Sequence, residues 1–146
     1  MKKIYTTQSH KETQKIGEDF AKEALKLPDK NGATLLALHG NLGAGKTTFI
    51  QGFAKGLGIK TKVLSPTFVI MKKFKVNKKR FKTFYHFDCY RLKGGEILEL
   101  GFKEIISDPK NIIAVEWPEK IKKFLPKDTL KMEFKFIDLD KRKIIY

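Results

Sequence analysis

The chain has 146 residues, enough to bury a true core and, by length, one domain spanning 1–146. Its 41% hydrophobic fraction is ordinary for a globular protein, no apolar stretch approaches membrane-spanning length, and Met1-Lys2-Lys3-Ile4-Tyr5 lacks the apolar region of a signal peptide. The single cysteine, Cys89, excludes an internal disulfide, so the expected setting is reducing and cytoplasmic, with no membrane partner. The formal net charge of +15 points to a nucleic-acid partner or, since all basic residues but Arg80, Arg91 and Arg142 are lysines, to a lysine-rich composition without a partner.

Taken in order, Lys3-Ile4-Tyr5-Thr6 reads as a short edge strand. Ser9 with Glu12 three residues later is a capping-box pattern and predicts a helix start. Ile16, Phe20, Ala24 and Leu27 then fall on one helical face. This helix either brings its first turn to an adenine or serves structure alone. Residues 28–32 form a turn, and Thr34-Leu35-Leu36-Ala37-Leu38 is an apolar run of the length a buried parallel strand needs.

The next stretch carries the clearest chemistry. Gly40-Asn41-Leu42-Gly43-Ala44-Gly45-Lys46-Thr47-Thr48 fits the phosphate-binding loop of nucleoside triphosphatases. Glycines at 43 and 45 let the backbone curl and present successive N–H groups to phosphate oxygens. Lys46 supplies a cation for the β and γ phosphates, and the Thr47 hydroxyl a magnesium ligand. A helix must follow, and Phe49, Ile50, Phe53 and Leu57 recur at its spacing before Gly58 stops it. Strand, loop and helix stand in the order a nucleotide site requires.

Beyond Ser65-Pro66-Thr67-Phe68, residues 69–74 read as extended, Asn77-Lys78 as a turn and residues 81–87 as a returning strand. Lys72, Lys73, Lys75, Lys78, Lys79, Arg80 and Lys82 make this hairpin strongly basic. It is either a solvated edge protected by lysines or a contact surface for RNA or an acidic protein. At its end His86, Asp88 and Arg91 crowd together. A metal site of His86, Asp88 and Cys89 would lack further ligands nearby. Short helical patterns around Ile97-Leu98-Leu100 and Ile105-Ile106 are interrupted by Gly101.

Residues 111–115 form an apolar strand that ends in Glu116, a carboxylate placed to face magnesium opposite Thr47, with Asp88 as its rival. Asp88 is the stronger candidate to position the attacking water. Pro118 ends the strand, and Leu125-Pro126 closes the loop that follows. Leu130, Met132, Phe134, Phe136 and Leu139 alternate as a half-buried strand, Asp138-Leu139-Asp140-Lys141 turns the chain, and residues 142–146 make a last strand.

The phosphate loop, Ser65-Pro66-Thr67-Phe68, His86-Phe87-Asp88-Cys89-Tyr90-Arg91-Leu92 and Val115-Glu116-Trp117-Pro118-Glu119 occur in one order. Together they resemble the TsaE (YjeE) family over about residues 9–142. The resemblance implies a small ATPase needed to make threonylcarbamoyladenosine beside the anticodon of certain tRNAs. On the same resemblance it acts with TsaB and TsaD subunits, meets tRNA through that complex and does not itself transfer the group. It assigns ATP contacts to Asn41, Leu42, Gly43, Ala44, Gly45, Lys46, Thr47, Thr48, Ser65, Thr67 and Arg142. Magnesium falls to Thr47 and Glu116, and the catalytic set is Lys46, Asp88 and Glu116. The fold expected is a three-layer α/β sandwich, with parallel central strands extended by antiparallel hairpins. A small-molecule kinase and a basic RNA-binding module are the competing readings.

Overall fold

A strand buried on both faces must be apolar along its whole length, and the two runs that satisfy this lie side by side at the middle of the sheet. The computed structural model describes residues 2–63 and 70–146. In chain order the elements are β1 (Ile4–Thr7), α1 (His10–Leu25), β2 (Thr34–His39), α2 (Lys46–Gly56), β3 (Met71–Lys75) and β4 (Thr83–Asp88). There follow α3 (Glu96–Glu99), α4 (Phe102–Ser107), β5 (Asn111–Glu116), a 3₁₀ segment (Pro118–Phe124), β6 (Leu130–Phe136) and β7 (Arg142–Ile145).

Seven strands among the described residues form one mixed sheet in the order β1-β7-β6-β2-β5-β4-β3. The four central strands run parallel, β2 pairing with β6 on one side and β5 on the other, and β5 with β4. Antiparallel β7 and β1 extend one edge, and β3 extends the other. Because side chains alternate along a strand, the two faces carry separate cores. Leu36, Leu38, Phe84 and Ala114 join Phe49, Ile50 and Phe53 of α2 on one face. Leu35, Tyr85, Phe87, Ile113 and Val115 meet Ile97, Phe102 and Ile121 on the other. The result is the expected α/β architecture, with parallel strands inside and antiparallel strands at the edges.

The Ser9 hydroxyl accepts from the Glu12 N–H as expected, but the Glu12 carboxylate takes the amide of Gln8. The buried face of α1 is rotated from the sequence reading: Thr13, Gly17, Ala21 and Ala24 are buried, while Leu27 lies beyond the helix and is 50% exposed. Close helix packing explains the shift. A Cβ on Gly17 would stand 2.1 Å from the Phe49 carbonyl oxygen, and one on Gly52 would stand 1.9 Å from that of Gln14. Small residues therefore make the α1–α2 seam, and the bulkier Ile16 and Phe20 flank it, half-buried.

Three further differences concern the surface. Arg80, counted with the basic hairpin, is buried instead. Its Nε donates to the Leu27 carbonyl at 3.0 Å and its Nη1 to the Pro109 carbonyl at 2.8 Å. The residues after Pro118 form a 3₁₀ segment rather than an open loop. In β6 only Met132 and Phe134 are buried, because Leu130 and Phe136 lie toward the strand ends and Leu139 stands on the turn beyond them.

Candidate functional site

Parallel α/β sheets leave a crevice beyond the carboxyl ends of their strands, and there three ends converge here. β2 runs into the glycine-rich loop, β5 ends at Glu116 and β4 at Asp88. Glu116 is the register partner of both Leu38 and Asp88, so the two carboxylates stand on adjacent strand ends. The loop itself is shaped by local backbone needs. The Ala44 N–H turns back to the Asn41 carbonyl at 3.1 Å, and Gly45 occupies the left-handed region at φ 100°, which a side chain would strain. Gly45 also caps α2 without a side-chain hydrogen bond, and the first turn carries no acidic residue. The N–H groups at that end are thus presented to an external anion.

A cavity of about 200 Å³ lies against this loop. It is lined by Leu42, Gly43, Gly45, Lys46, Thr47 and Thr48 of the loop and α2, together with Asp88, Glu116 and Arg142. Two predicted residues turn elsewhere. Ala44 is buried in the core, and Asn41 lines with it a separate cavity beside β6. Ser65 and Thr67 lie outside the described residues.

Each cavity side chain is held by its own partners. Lys46 is 4% exposed; its Nζ donates to the Gly40 carbonyl and sits 4.0 Å from the centre of the Trp117 ring. Burial pulls its pKa below the ordinary lysine value, and Glu116, Glu119 and Asp88 oppose that pull. Glu116 is buried, with its Oε2 2.7 Å from the Nε2 of the fully buried His86. Burial raises the Asp88 carboxyl above its ordinary value; the Tyr90 N–H, donating to Oδ1 at 3.0 Å, opposes the rise. Arg142 is buried beside Gly45, where its Cγ would be 3.3 Å from an added Cβ. Its Nη1 is anchored on the Asp138 and Lys141 carbonyls.

Trp117, within Val115-Glu116-Trp117-Pro118-Glu119, carries no function legible in the sequence alone. It is the one non-glycine residue at positive φ among the described residues, 57°, and it packs against both Lys46 and Tyr90. Strained backbone of this kind gathers at functional sites. His10, in the first turn of α1, also lines the cavity, so the opening helix does approach the loop. The metal set of His86, Asp88 and Cys89 does not form. Burial pushes the Cys89 thiol up to about 12, and among the described residues no three acidic, histidine or cysteine side chains converge as ligands.

The sequence and structure have clear relatives. The family model described as "Threonylcarbamoyl adenosine biosynthesis protein TsaE" matches residues 7–144. The tRNA threonylcarbamoyladenosine biosynthesis protein TsaE of Rickettsia conorii is 37% identical over 141 residues, covering 95% of this chain and 74% of its own length. The protein of that name from Bacillus subtilis is 40% identical over 112 residues, 77% of this chain and 68% of its own. The crystal structure of Bacillus subtilis YdiB is similar with a TM-score of 0.76 at 31% identity, over 99% of this chain and 84% of that one. A family match across nearly the whole chain, together with a phosphate loop set beside Asp88 and Glu116, assigns this chain to the TsaE family.

Proposed function

We propose that the protein is a magnesium-dependent ATPase that supports threonylcarbamoylation of adenosine beside the anticodon of tRNA. On this reading the chain works as one domain in the cytoplasm, with TsaB and TsaD subunits as partners and tRNA reached through their complex. One observation carries the chemistry: Gly43, Gly45, Lys46 and Thr47 share a cavity with Asp88, Glu116 and Arg142. Family membership and the names of the relatives support the pathway.

The site's volume is below the roughly 300–1,000 Å³ of whole-ligand pockets, which suits a cleft that encloses phosphates and leaves the nucleoside at the surface. Backbone N–H groups of the loop and the start of α2 hold the phosphate oxygens. Lys46 exchanges the Gly40 carbonyl for those oxygens, and Trp117 shields its head from water. Arg142 adds positive charge beside Gly45. The Thr47 hydroxyl and the Glu116 carboxylate would hold magnesium, which when bound neutralises charge on the β and γ phosphates. Two protein ligands suffice, because that ion keeps several waters and phosphate oxygens.

His86 fixes the Glu116 carboxylate through a hydrogen bond at 2.7 Å. Asp88, on the neighbouring strand end, accepts a hydrogen bond from the attacking water. The water oxygen bonds to the γ phosphorus, the bond to the bridging oxygen breaks with its electron pair going to ADP, the water's proton passes through Asp88 to the released phosphate, and ADP and phosphate leave. By resemblance, Ser65-Pro66-Thr67 forms a nucleotide-sensing loop.

Calorimetry with ATP and magnesium tests the site. Lys46→Ala should weaken binding about ten- to hundredfold, the ~1.5–3 kcal/mol of a charge-assisted hydrogen bond. Unchanged affinity would show that this loop does not hold the nucleotide. Hydrolysis measured with and without TsaB, TsaD and tRNA tests the assignment to the pathway.

A further inference from the structure

The charge of this chain is segregated. Between Asp29 and Asp88 lie 58 residues with 12 of the 31 basic side chains and none of the 16 acidic ones. The remaining 88 residues carry 19 basic and 16 acidic side chains, close to balance. Basic side chains are as dense here as elsewhere, 12 in 58 residues against 19 in 88, so what sets this stretch apart is the absence of acids that would neutralise them.

Four of the 12 have other roles or are covered: Lys46 lines the phosphate cavity, Lys30 pairs with Asp128, Arg80 is buried and Lys72 is half-buried. The other eight are exposed lysines, and among the described residues none of them makes a salt bridge. Five of them, Lys73, Lys75, Lys78, Lys79 and Lys82, lie on the edge strand β3 or in the turn between it and β4. Lys78 in the β3–β4 turn reaches the end of α2, its Cε 3.2 Å from where a Cβ on Gly58 would stand. Asp29, the acid on this flank, is engaged by Arg80 at 3.5 Å and Lys110 at 3.7 Å.

We infer that this lysine face at the β3 edge binds the phosphate backbone of RNA, and in the proposed pathway that RNA is tRNA. The choice of RNA rests on the reading of the site given above; the phosphate chemistry does not. Lysines are depleted at protein–protein interfaces, which need an apolar or aromatic centre. Among the described residues, the exposed large hydrophobic side chains all lie outside residues 55–82. Phosphate binding needs only accessible cations. Lysine serves as a point charge without bidentate geometry, so the contacts are independent of sequence.

The test uses the full chain without nucleotide and a fluorescent tRNA, with affinity followed across salt concentrations. One variant changes Lys60, Lys62, Lys75, Lys78, Lys79 and Lys82 to Gln. A control changes Lys11, Lys15, Lys103, Lys122, Lys123 and Lys127 to Gln, which alters net charge equally. The face variant should lose at least about tenfold in affinity, and its salt slope should flatten by about 2 or more, since each phosphate contact contributes about 0.9. The control should keep most of both. Equal losses in the two variants would overturn the inference. So would tighter binding of a polyglutamate peptide or phosphatidylglycerol vesicles to the same face, and tighter binding of duplex DNA would overturn the choice of RNA. ATP hydrolysis by the face variant should stay at the wild-type level and reports that it folds. Loss of hydrolysis in the wild type would sink the proposed function while leaving the binding result to stand on its own.

Discussion

Asp88 illustrates how one residue links stability to chemistry. Burial raises its carboxyl above the ordinary aspartate value. Between that ordinary value and the raised one, the folded protein holds a proton that the unfolded chain releases. Stability from this group is therefore greatest at low pH and declines as pH rises through the folded pKa. Asp88→Asn removes the buried charge and keeps an oxygen for the Tyr90 N–H. The variant should resist denaturant better than wild type at pH 7, with the difference shrinking below the ordinary aspartate pKa. The same change should lower turnover about a hundredfold or more while leaving ATP affinity within a few-fold, as expected for a group that positions water. Denaturant titrations at two pH values, beside turnover and calorimetry, check both halves. A large loss of affinity would make Asp88 a metal or structural residue instead.

At the scale of elements, the α1–α2 seam sets where the phosphate loop stands, because α2 begins at Lys46. The seam leaves no room for a side chain at Gly52, where a Cβ would meet backbone rather than a movable side chain. Gly52→Ala should force α1 and α2 apart, destabilise the fold by about 1–3 kcal/mol as overpacking does, and weaken ATP binding as well. Gly95→Ala is the matched control. Gly95 has φ −90° and nothing within 4 Å of an added Cβ, so alanine there should be neutral or stabilise by up to about 1 kcal/mol. Chemical denaturation of the pair tests the contrast. Equal effects would mean that the seam relaxes freely.

Across the whole molecule, the uncompensated lysines repel one another in the folded state. Raising ionic strength from about 0.01 to about 0.15 M shortens the Debye length from ~30 to ~8 Å and should raise the melting temperature. For a chain of this size each kcal/mol gained corresponds to about 2–4 °C. The variant with six lysines of the β3 edge neutralised should start from a higher melting temperature and gain less from salt. Calorimetric scans across salt concentrations check this, and an identical salt response in the two proteins would mean that the charges lie too far apart to interact.

The sequence by itself determined the strand–loop–helix unit from residue 34 to Gly58, the hairpin and the strand ending at Glu116. Each rests on local rules: an apolar run long enough for a buried strand, glycines where the backbone must curl, and helical spacing after Lys46. What it left open were facts of contact between distant segments. The buried face of α1 differs from its helical spacing because the seam takes the small residues Gly17 and Ala21, with the bulkier Ile16 and Phe20 beside them, and only α2 shows how closely the helices approach. Arg80 looked like one more surface cation until Leu27 and Pro109, both remote in the chain, supplied carbonyls for it. Trp117 drew no functional assignment because its contacts with Lys46 and Tyr90 depend on a left-handed backbone after β5. The tertiary structure alone brought Asp88 and Glu116 to register-paired positions beside the phosphate loop, because sheet order, not sequence distance, decides which strand ends meet.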